Sequence, residues 1–198
     1  MQAREPTLNT SRLVLASASP RRARLLSQIG LTFEVCPSDV VEPPHSAFSN
    51  EQGDEITQEL ALLKARAVAQ HYSEGVIIGA DTLVSLNGKL LGKPVDDADA
   101  ITMLTQLSGT AHEVITGVAL VNAATAQTVV WAETTHVYFR RLHRTEIADY
   151  VATGEAADKA GAYGIQARGA AFVNRIDGCY FNVVGLPLAS LVEHLSNF

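Results

Sequence analysis

The sequence predicts an α/β or α+β fold in which a mixed, twisted sheet is flanked by helices, with two lobes around a central cleft. Short apolar runs typical of strands alternate with longer amphipathic segments typical of helices. Two strand-like runs flank Asn87-Gly88, a type I′ hairpin signal, so part of the sheet is expected to be antiparallel. The chain has 198 residues, of which 47% are hydrophobic, enough to bury a substantial core. Together these observations favour helices packed on a mixed sheet.

The first elements follow a strand-helix-strand pattern. Residues 12–16 (RLVLA) are expected to form a strand. Ser19 is a good N-cap residue and Pro20 suits the first position of a helix, which is expected to extend to about residue 29. A second short strand is predicted over residues 32–36 (TFEVC).

A long polar segment separates these elements from the next helix. Residues 37–54 are rich in Pro, Ser, Asn and acidic residues and are predicted to form a loop, and loops of this length are often functional. A helix is predicted over residues 55–71, with Lys64 near its apolar face. That face is expected to contain Ile56, Leu60, Leu63, Ala67 and Val68.

The second half of the chain mixes strands and helices. After the hairpin, a helix is predicted over about residues 98–107, ended by Ser108-Gly109. Residues 112–122 and 128–140 are predicted to be paired antiparallel strands.

The last elements are a helix, a strand and a second helix. Thr145 is expected to cap a helix that starts at Glu146. After the Gly-rich residues 158–173, a strand is predicted over residues 179–187 (CYFNVVGLP), followed by a C-terminal helix of about ten residues.

Composition excludes several classes of protein. The net charge of −6 disfavours nucleic-acid binding, which depends on many cationic contacts with phosphate. The N-terminal segment has no apolar core of a secretion signal, and no apolar run is long enough to span a membrane. We therefore expect a cytoplasmic protein. Cys36 and Cys179 are expected to be buried free thiols, with a disulfide left open.

Two arginines occupy an unusual position at the start of the first predicted helix. Arg21 and Arg22 fall in the first turn, where the helix dipole favours acidic side chains. A helix N-terminus attracts anions, and guanidinium groups bind phosphate in a fixed plane. The pair is therefore either a phosphate site or two solvated side chains packed over the helix.

Asp81 follows an apolar strand and a Gly-Ala step, a position typical of the carboxyl end of a core strand that opens into a cleft. A carboxylate there can bind a divalent cation or act as a general base, or it can simply close a turn beside Thr82. Glu42, Lys64 and Lys93 add charges that suit phosphoryl chemistry, in which positioning and charge neutralisation supply most of the catalysis. Lys64 alone could equally be a snorkelling surface side chain.

Other nucleotide and metal motifs are not found in the sequence. It contains no Gly-x-x-x-x-Gly-Lys loop, which disfavours a P-loop NTPase. It also has no zinc-type cluster, and His45, His112 and His136 are expected to be surface or core residues.

Seven collinear fragments resemble the Maf family of nucleoside triphosphate pyrophosphatases. They are LASASPRRARLL, the lysine in LLKARA, GADTLV, LGKP, LSGTAHEVITGV, DKAGAYGIQ and NVVGLPL. The resemblance covers the chain from Leu13 to the C-terminal helix and implies a fold like that of inosine triphosphate pyrophosphatase. It also implies one domain over residues 12–198, preceded by a flexible tail over residues 1–11.

The resemblance implies roles for several residues. Within the family, DKAGAYGIQ is similar to the branch that hydrolyses dTTP and UTP. Asp81 would be the proton acceptor, and Arg21, Thr82 and Gln166 would govern substrate choice. The Gln166 amide offers a donor and an acceptor to a pyrimidine edge, although a plain turn role stays open.

The remaining site residues complete a triphosphate clamp. Arg21, Arg22, Lys64 and Lys93 are expected to hold the triphosphate, and Ser17 is expected to add a hydroxyl contact. A divalent cation, Mg²⁺ or Mn²⁺, is expected near Asp81 and Glu42. A homodimer is also implied.

The expected function is hydrolysis of dTTP and UTP, together with modified pyrimidine nucleotides, to the nucleoside monophosphate and pyrophosphate. This is a house-cleaning role with a link to cell division arrest. Two alternatives stay open: a 7-methylguanosine triphosphate pyrophosphatase, and a nucleotide-binding regulator of septum formation without significant turnover.

Overall fold

A computed structural model describes residues 12–41 and 53–198, and it confirms the predicted mixed sheet flanked by helices. The predicted tail over residues 1–11, Glu42 and His45 lie outside the described residues. The strands are β1 (Leu13–Leu15), β2 (Phe33–Val35), β3 (Val76–Leu86), β4 (Lys89–Leu91), β5 (Ala111–Asn122), β6 (Thr128–Phe139) and β7 (Val173–Asp177). The helices are α1 (Pro20–Gln28), α2 (Gly53–Ala69), α3 (Asp97–Leu107), α4 (Arg144–Val151), α5 (Tyr180–Val184) and α6 (Leu188–Ser196), with short 3-10 helices at Ala160–Ala162 and Arg168–Phe172.

The described residues form a seven-stranded sheet in the order β2-β1-β3-β5-β6-β7, with β4 paired to β3. β1 is parallel to both β2 and β3, whereas the other pairs are antiparallel. The predicted hairpin between β3 and β4 is confirmed. Asn87 and Gly88 both have positive φ, at 51° and 79°, as a type I′ turn requires. Within the described ranges no helix is long and apolar enough to cross a membrane.

The sheet is covered on both faces. Side chains alternate between the faces along β3, so that Ile77 packs against α2 and Ile78 packs in the larger core that contains residues of α1, α3, α4, α5 and α6. The same alternation places Asp81 on the α2 face and Thr82 on the opposite face. Each residue therefore meets a different set of helices.

One edge of β3 is open in its middle. β1 pairs with residues 76–78 of β3, and β4 pairs with residues 84–86. Within the described chain, residues 79–83 therefore have a strand partner on one side only, where β5 pairs with β3 over residues 76–85. Asp81 and Thr82 lie in this opening.

Glycines allow α2 to lie very close to the sheet. A Cβ atom on Gly79 would lie 2.1 Å from the carbonyl oxygen of Ala61, and one on Gly117 would lie 2.2 Å from the carbonyl carbon of Thr57. Any side chain at either position would collide with the helix backbone. This close approach brings Lys64 of α2 to the sheet.

Three predictions of local structure are wrong. Helix α4 begins at Arg144, so His143 is the N-cap residue and Thr145 lies inside the helix. Residues 180–184 of the predicted strand form α5, and the strand of this region is β7, a few residues earlier. Leu63 is also exposed rather than buried, because Ala61, Lys64 and Ala65 lie on the sheet side of α2.

Candidate functional site

A cavity of about 720 Å³ lies at the open part of β3. Its walls come from the loop before α1, the first turn of α1, β3 and the segment 155–167. Eight of the predicted site residues line it: Ser17, Arg21, Arg22, Lys64, Asp81, Thr82, Lys93 and Gln166. Glu42, the remaining predicted ligand, lies outside the described residues.

Lys64 and Asp81 form a buried ion pair at the floor of the cavity. The Lys64 Nζ atom lies 2.6 Å from Asp81 Oδ1, and the two side chains are only 11% and 9% exposed. The other carboxylate oxygen, Oδ2, is buried without a hydrogen-bond partner in the described structure. A buried acceptor of this kind is costly to leave unsatisfied, so Oδ2 is suited to a bound water or cation.

Arg22 forms hydrogen bonds with three parts of the cavity wall. Its guanidinium donates to Ser17 Oγ at 3.1 Å, to Thr82 Oγ1 at 3.0 Å and to the carbonyl oxygen of Gly185 at 2.8 Å. Thr82 Oγ1 also lies 2.9 Å from Thr116 Oγ1 on β5. Arg22 therefore fixes Ser17 and Thr82 in addition to bringing positive charge to the cavity.

Arg21 reaches to the opposite wall. Its Nη1 atom donates to Asp158 Oδ2 at 3.0 Å, and Lys159 donates to Asp158 Oδ1 at 2.6 Å. Partial burial raises the pKa of Asp158, but the hydrogen bonds from Lys159 and Arg21 outweigh it and hold that pKa below its ordinary value. The carboxylate therefore stays ionised and bridges two cations.

The segment 155–167 forms the wall opposite α1. Gln166 is exposed and lines the cavity, as does the buried Tyr163. The Gly161 N–H donates to the carbonyl oxygen of Gly92 at 3.0 Å, which holds this wall beside the exposed Lys93. Residues from the LGKP and DKAGAYGIQ fragments are thus brought together.

Positive charge dominates the cavity although the whole chain is acidic. Among the described lining residues, six are basic and three are acidic. The sequence did not predict four of these charged residues or one lining tyrosine: Arg24, Glu155, Asp158, Lys159 and Tyr163. The signal for Asp158, Lys159 and Tyr163 was present, since the DKAGAYGIQ fragment contains them beside Gln166.

Histidine and cysteine residues play a different part. His112 is buried, and its Nε2 atom lies 2.9 Å from Tyr163 Oη behind the cavity wall. Burial lowers the pKa of His112 to about 4, so the ring is neutral at physiological pH. His136 is an exposed residue near Glu113. Cys36 and Cys179 are free thiols, as predicted, but both are partly exposed rather than buried.

Hard divalent cations prefer oxygen ligands, and Asp81 Oδ2 is the oxygen that the cavity floor offers. The described residues contain no cluster of three or more His, Cys, Asp or Glu side chains that could hold a metal by themselves. Mg²⁺ is often held by one or two carboxylates, with waters and substrate phosphates as its other ligands. The residues present therefore fit a cation whose ligands come partly from the protein and partly from the phosphates of a bound ligand.

Comparison with known proteins gives one family and several near full-length relatives. The family model for Maf-like protein matches residues 12–198. A protein of Pelotomaculum thermopropionicum named dTTP/UTP pyrophosphatase is 50% identical over 94% of this chain and 96% of the relative. Proteins with the same name from Syntrophomonas wolfei and Moorella thermoacetica are 49% and 50% identical, over 92% and 95% of this chain and 95% of each relative.

Proposed function

The chain belongs to the family of Maf-like proteins. We propose that it is a nucleoside triphosphate pyrophosphatase that hydrolyses dTTP and UTP. The products would be the nucleoside monophosphate and pyrophosphate. Relatives that carry the name dTTP/UTP pyrophosphatase match more than nine-tenths of this chain at about half identity, which supports the proposal. The observation that carries it is the buried Lys64 and Asp81 pair inside a cation-lined cavity.

Asp81 is the proposed general base. Lys64 holds Oδ1, which fixes the carboxylate and leaves Oδ2 facing the position for an attacking water. A water that donates to Oδ2 is oriented by it, and its proton passes to the carboxylate as the oxygen attacks phosphorus. Because Asp81 lies on a central strand, its position is set before the substrate arrives.

The triphosphate is proposed to lie between α1 and Lys93. Arg21 and Arg22 in the first turn of α1, together with Lys93, supply cations that neutralise the phosphate oxygens. Charge develops on the pyrophosphate leaving group as its bond to the α-phosphorus breaks, so fixed cations stabilise the transition state more than the ground state. Ser17, held by Arg22, would add a hydroxyl contact.

A divalent cation, Mg²⁺ or Mn²⁺, is part of the proposal. The Asp81 carboxylate would hold it together with Glu42, which lies outside the described residues. When bound, such a cation neutralises phosphate charge and acidifies a coordinated water. Removing divalent cations with a chelator is expected to abolish turnover.

Base recognition is assigned to the wall that carries Gln166. The Gln166 amide can donate to and accept from a pyrimidine edge, and Thr82 and Arg21 lie nearby on the other walls of the cavity. Modified pyrimidine nucleotides that keep this edge would also be accepted, which fits a house-cleaning role.

The central experiment measures pyrophosphate release by Asp81→Asn across a panel of nucleoside triphosphates. This variant keeps the size of the side chain but removes the base, so turnover is expected to fall by about 10²-fold or more while nucleotide binding stays measurable. The matched control is Asp149→Asn, an exposed residue of α4 away from the cavity lining. Near-normal turnover of Asp81→Asn would exclude Asp81 as the base. Turnover of 7-methylguanosine triphosphate alone would exclude the pyrimidine substrates.

Location and assembly are further parts of the proposal. Two free thiols fit a reducing compartment such as the cytoplasm, where free nucleoside triphosphates are found. The acidic net charge fits an enzyme of small molecules rather than a nucleic-acid binder.

Analytical ultracentrifugation tests the proposed homodimer. Expression of Asp81→Asn beside the wild type tests whether any effect on septum formation needs turnover.

A further inference from the structure

The residue assigned to base recognition lies on a tightly closed loop. A Cβ atom on Gly169 would lie 2.6 Å from the carbonyl oxygen of Gly164, so the two ends of residues 164–169 almost touch. Between them, Ile165, Gln166 and Ala167 line the cavity. The position of the Gln166 side chain therefore depends on how the ends of this loop are fixed.

One tyrosine and one glutamate fix both ends. The Tyr150 hydroxyl accepts a hydrogen bond from the Gly164 N–H at 3.1 Å and lies 3.1 Å from Glu155 Oε1, to which it donates. The Glu155 carboxylate also accepts from the N–H groups of Arg168 at 3.2 Å and Gly169 at 3.4 Å. The whole base of the loop is thus anchored on a single hydrogen-bonded pair.

Tyr150 is well placed to act as a rigid anchor. Its side chain is buried in α4, and its ring packs edge-on against Phe172 with ring centroids 4.9 Å apart. Burial raises the pKa of Tyr150, so its hydroxyl keeps its proton and remains a donor to Glu155. Tyr150 does not line the cavity, so it acts on a ligand only through the loop.

We infer that Tyr150 and Glu155 are positioning residues for nucleobase selection: they hold the loop of residues 164–169 so that the Gln166 amide meets the edge of a pyrimidine base. This inference rests on the proposed function. Asp81 and Lys64 lie on β3 and α2 and not on this loop, so loss of the anchor should change which base is accepted more than how fast phosphate bonds are broken.

Tyr150→Phe tests the inference with the smallest change. The ring and its packing on Phe172 are kept, and the two hydrogen bonds of the hydroxyl are lost. The ratio of kcat/KM for dTTP to that for dCTP is expected to fall by about tenfold, as for the loss of one net hydrogen bond, with most of the change in KM for dTTP.

The chain offers a matched control. Tyr72 also donates its hydroxyl to a glutamate, Glu34, at 2.7 Å, but it lies outside the cavity lining. Tyr72→Phe removes the same kind of hydrogen bond and should leave the dTTP to dCTP ratio unchanged. A change of similar size in this control would overturn the inference.

A double-mutant cycle separates positioning from general loosening of the fold. In a Gln166→Ala background, Tyr150→Phe should change the ratio by less than about twofold, because the amide that it positions is gone. An unreduced tenfold change in that background, or an equal loss for both nucleotides in Tyr150→Phe, would overturn the inference. If Tyr150→Phe does not fold, Glu155→Gln replaces it, because this change turns one acceptor oxygen into a donor that faces backbone N–H groups. Glu155 itself lines the cavity, so its effect counts for the inference only if it falls below about twofold in the Gln166→Ala background, and an unreduced effect there would overturn the inference.

Equilibrium binding distinguishes failure of this inference from failure of the proposed function. Dissociation constants for dTTP and dCTP are measured on Asp81→Asn with and without Tyr150→Phe. If the wild type releases no pyrophosphate but the binding ratio falls about tenfold, the proposed function fails and the inference stands. If the wild type hydrolyses dTTP and neither ratio moves, the inference fails alone. Absence of both turnover and binding would overturn both.

Discussion

The contact between α2 and the sheet leads to a prediction for Gly117→Ala. Gly117 on β5 is the cross-strand partner of Asp81, and it lies directly beneath α2. A methyl group at this position would strike the helix backbone, which cannot move aside like the end of a flexible side chain. The substitution therefore tests whether the close approach of α2 is what brings Lys64 to Asp81.

The size of the effect follows from the distances. The added Cβ would lie 2.2 Å and 2.3 Å from the carbonyl carbon and oxygen of Thr57. Ordinary contact needs about 3.5 Å, so α2 must move away by about 1 Å. That shift draws the backbone of α2 away from β3 and so weakens the hydrogen bond from Lys64 Nζ to Asp81 Oδ1, which is 2.6 Å long in the native structure. Overpacking costs about 1–3 kcal/mol, and a weakened buried ion pair adds to that cost, so the free energy of unfolding should fall by at least about 1 kcal/mol.

Urea unfolding followed by Trp131 fluorescence and pyrophosphate release measure the two consequences. Gly117→Ala should lose both stability and turnover. The control is Gly30→Ala, where no atom lies within 4 Å of the added Cβ and φ is +76°. It should lose about 1 kcal/mol from the left-handed backbone alone and keep its turnover. Wild-type stability and turnover in Gly117→Ala would refute the idea that glycine contacts set the Lys64 and Asp81 geometry.

Two further predictions concern charge. Asp158→Asn removes the negative charge that competes with the substrate for Arg21. A partly exposed ion pair contributes up to about 1 kcal/mol, so KM for dTTP should fall by up to about fivefold. A higher KM would mean that Asp158 orients Arg21 for the substrate. His112 has a pKa of about 4 in the folded state against an ordinary value of 6.5, so below pH 6.5 the unfolded chain binds a proton that the folded chain does not. The free energy of unfolding should therefore fall by about 2 kcal/mol between pH 7 and pH 5, and urea titrations of the wild type and His112→Gln should show this loss only in the wild type.

Local sequence signals predicted most of the elements but failed near the C-terminus. Ser19 and Pro20 mark the start of α1, although the Ser19 side chain makes no capping hydrogen bond. Pro20 and Asn87-Gly88 are reliable signals because their backbone geometry suits the first turn of a helix and a type I′ turn. Residues 180–184 resemble a strand in composition, but they form a helix in which the buried Asn182 side chain donates to the carbonyl oxygen of Val114. In short apolar runs such long-range contacts decide between helix and strand, and the hydrophobic periodicity of the sequence carries no information about them.

The candidate site was predictable where a residue type carries its own chemistry. Asp81 was predicted as a carboxylate at the carboxyl end of a core strand, but it lies in the middle of β3 (Val76–Leu86), and the resemblance to a family added Gln166. Asp158 was missed, although the DKAGAYGIQ fragment contains it, because its ion-pair partner Arg21 lies 137 residues earlier in the chain. Tyr150 was missed because its partners include a backbone N–H group, which leaves no mark in the sequence.

The opening in the strand pairing of β3 has a consequence for how the cavity binds a flexible ligand. Asp81 and Thr82 in this stretch line the cavity, while β5 holds residues 79–83 along the whole of the other side. These two side chains reach the cavity without the conformational freedom of a loop. Because Asp81 is already ordered, binding of a ligand carries no entropic cost for ordering it. The favourable binding free energy then has to offset only the loss of the ligand's own rotational freedom.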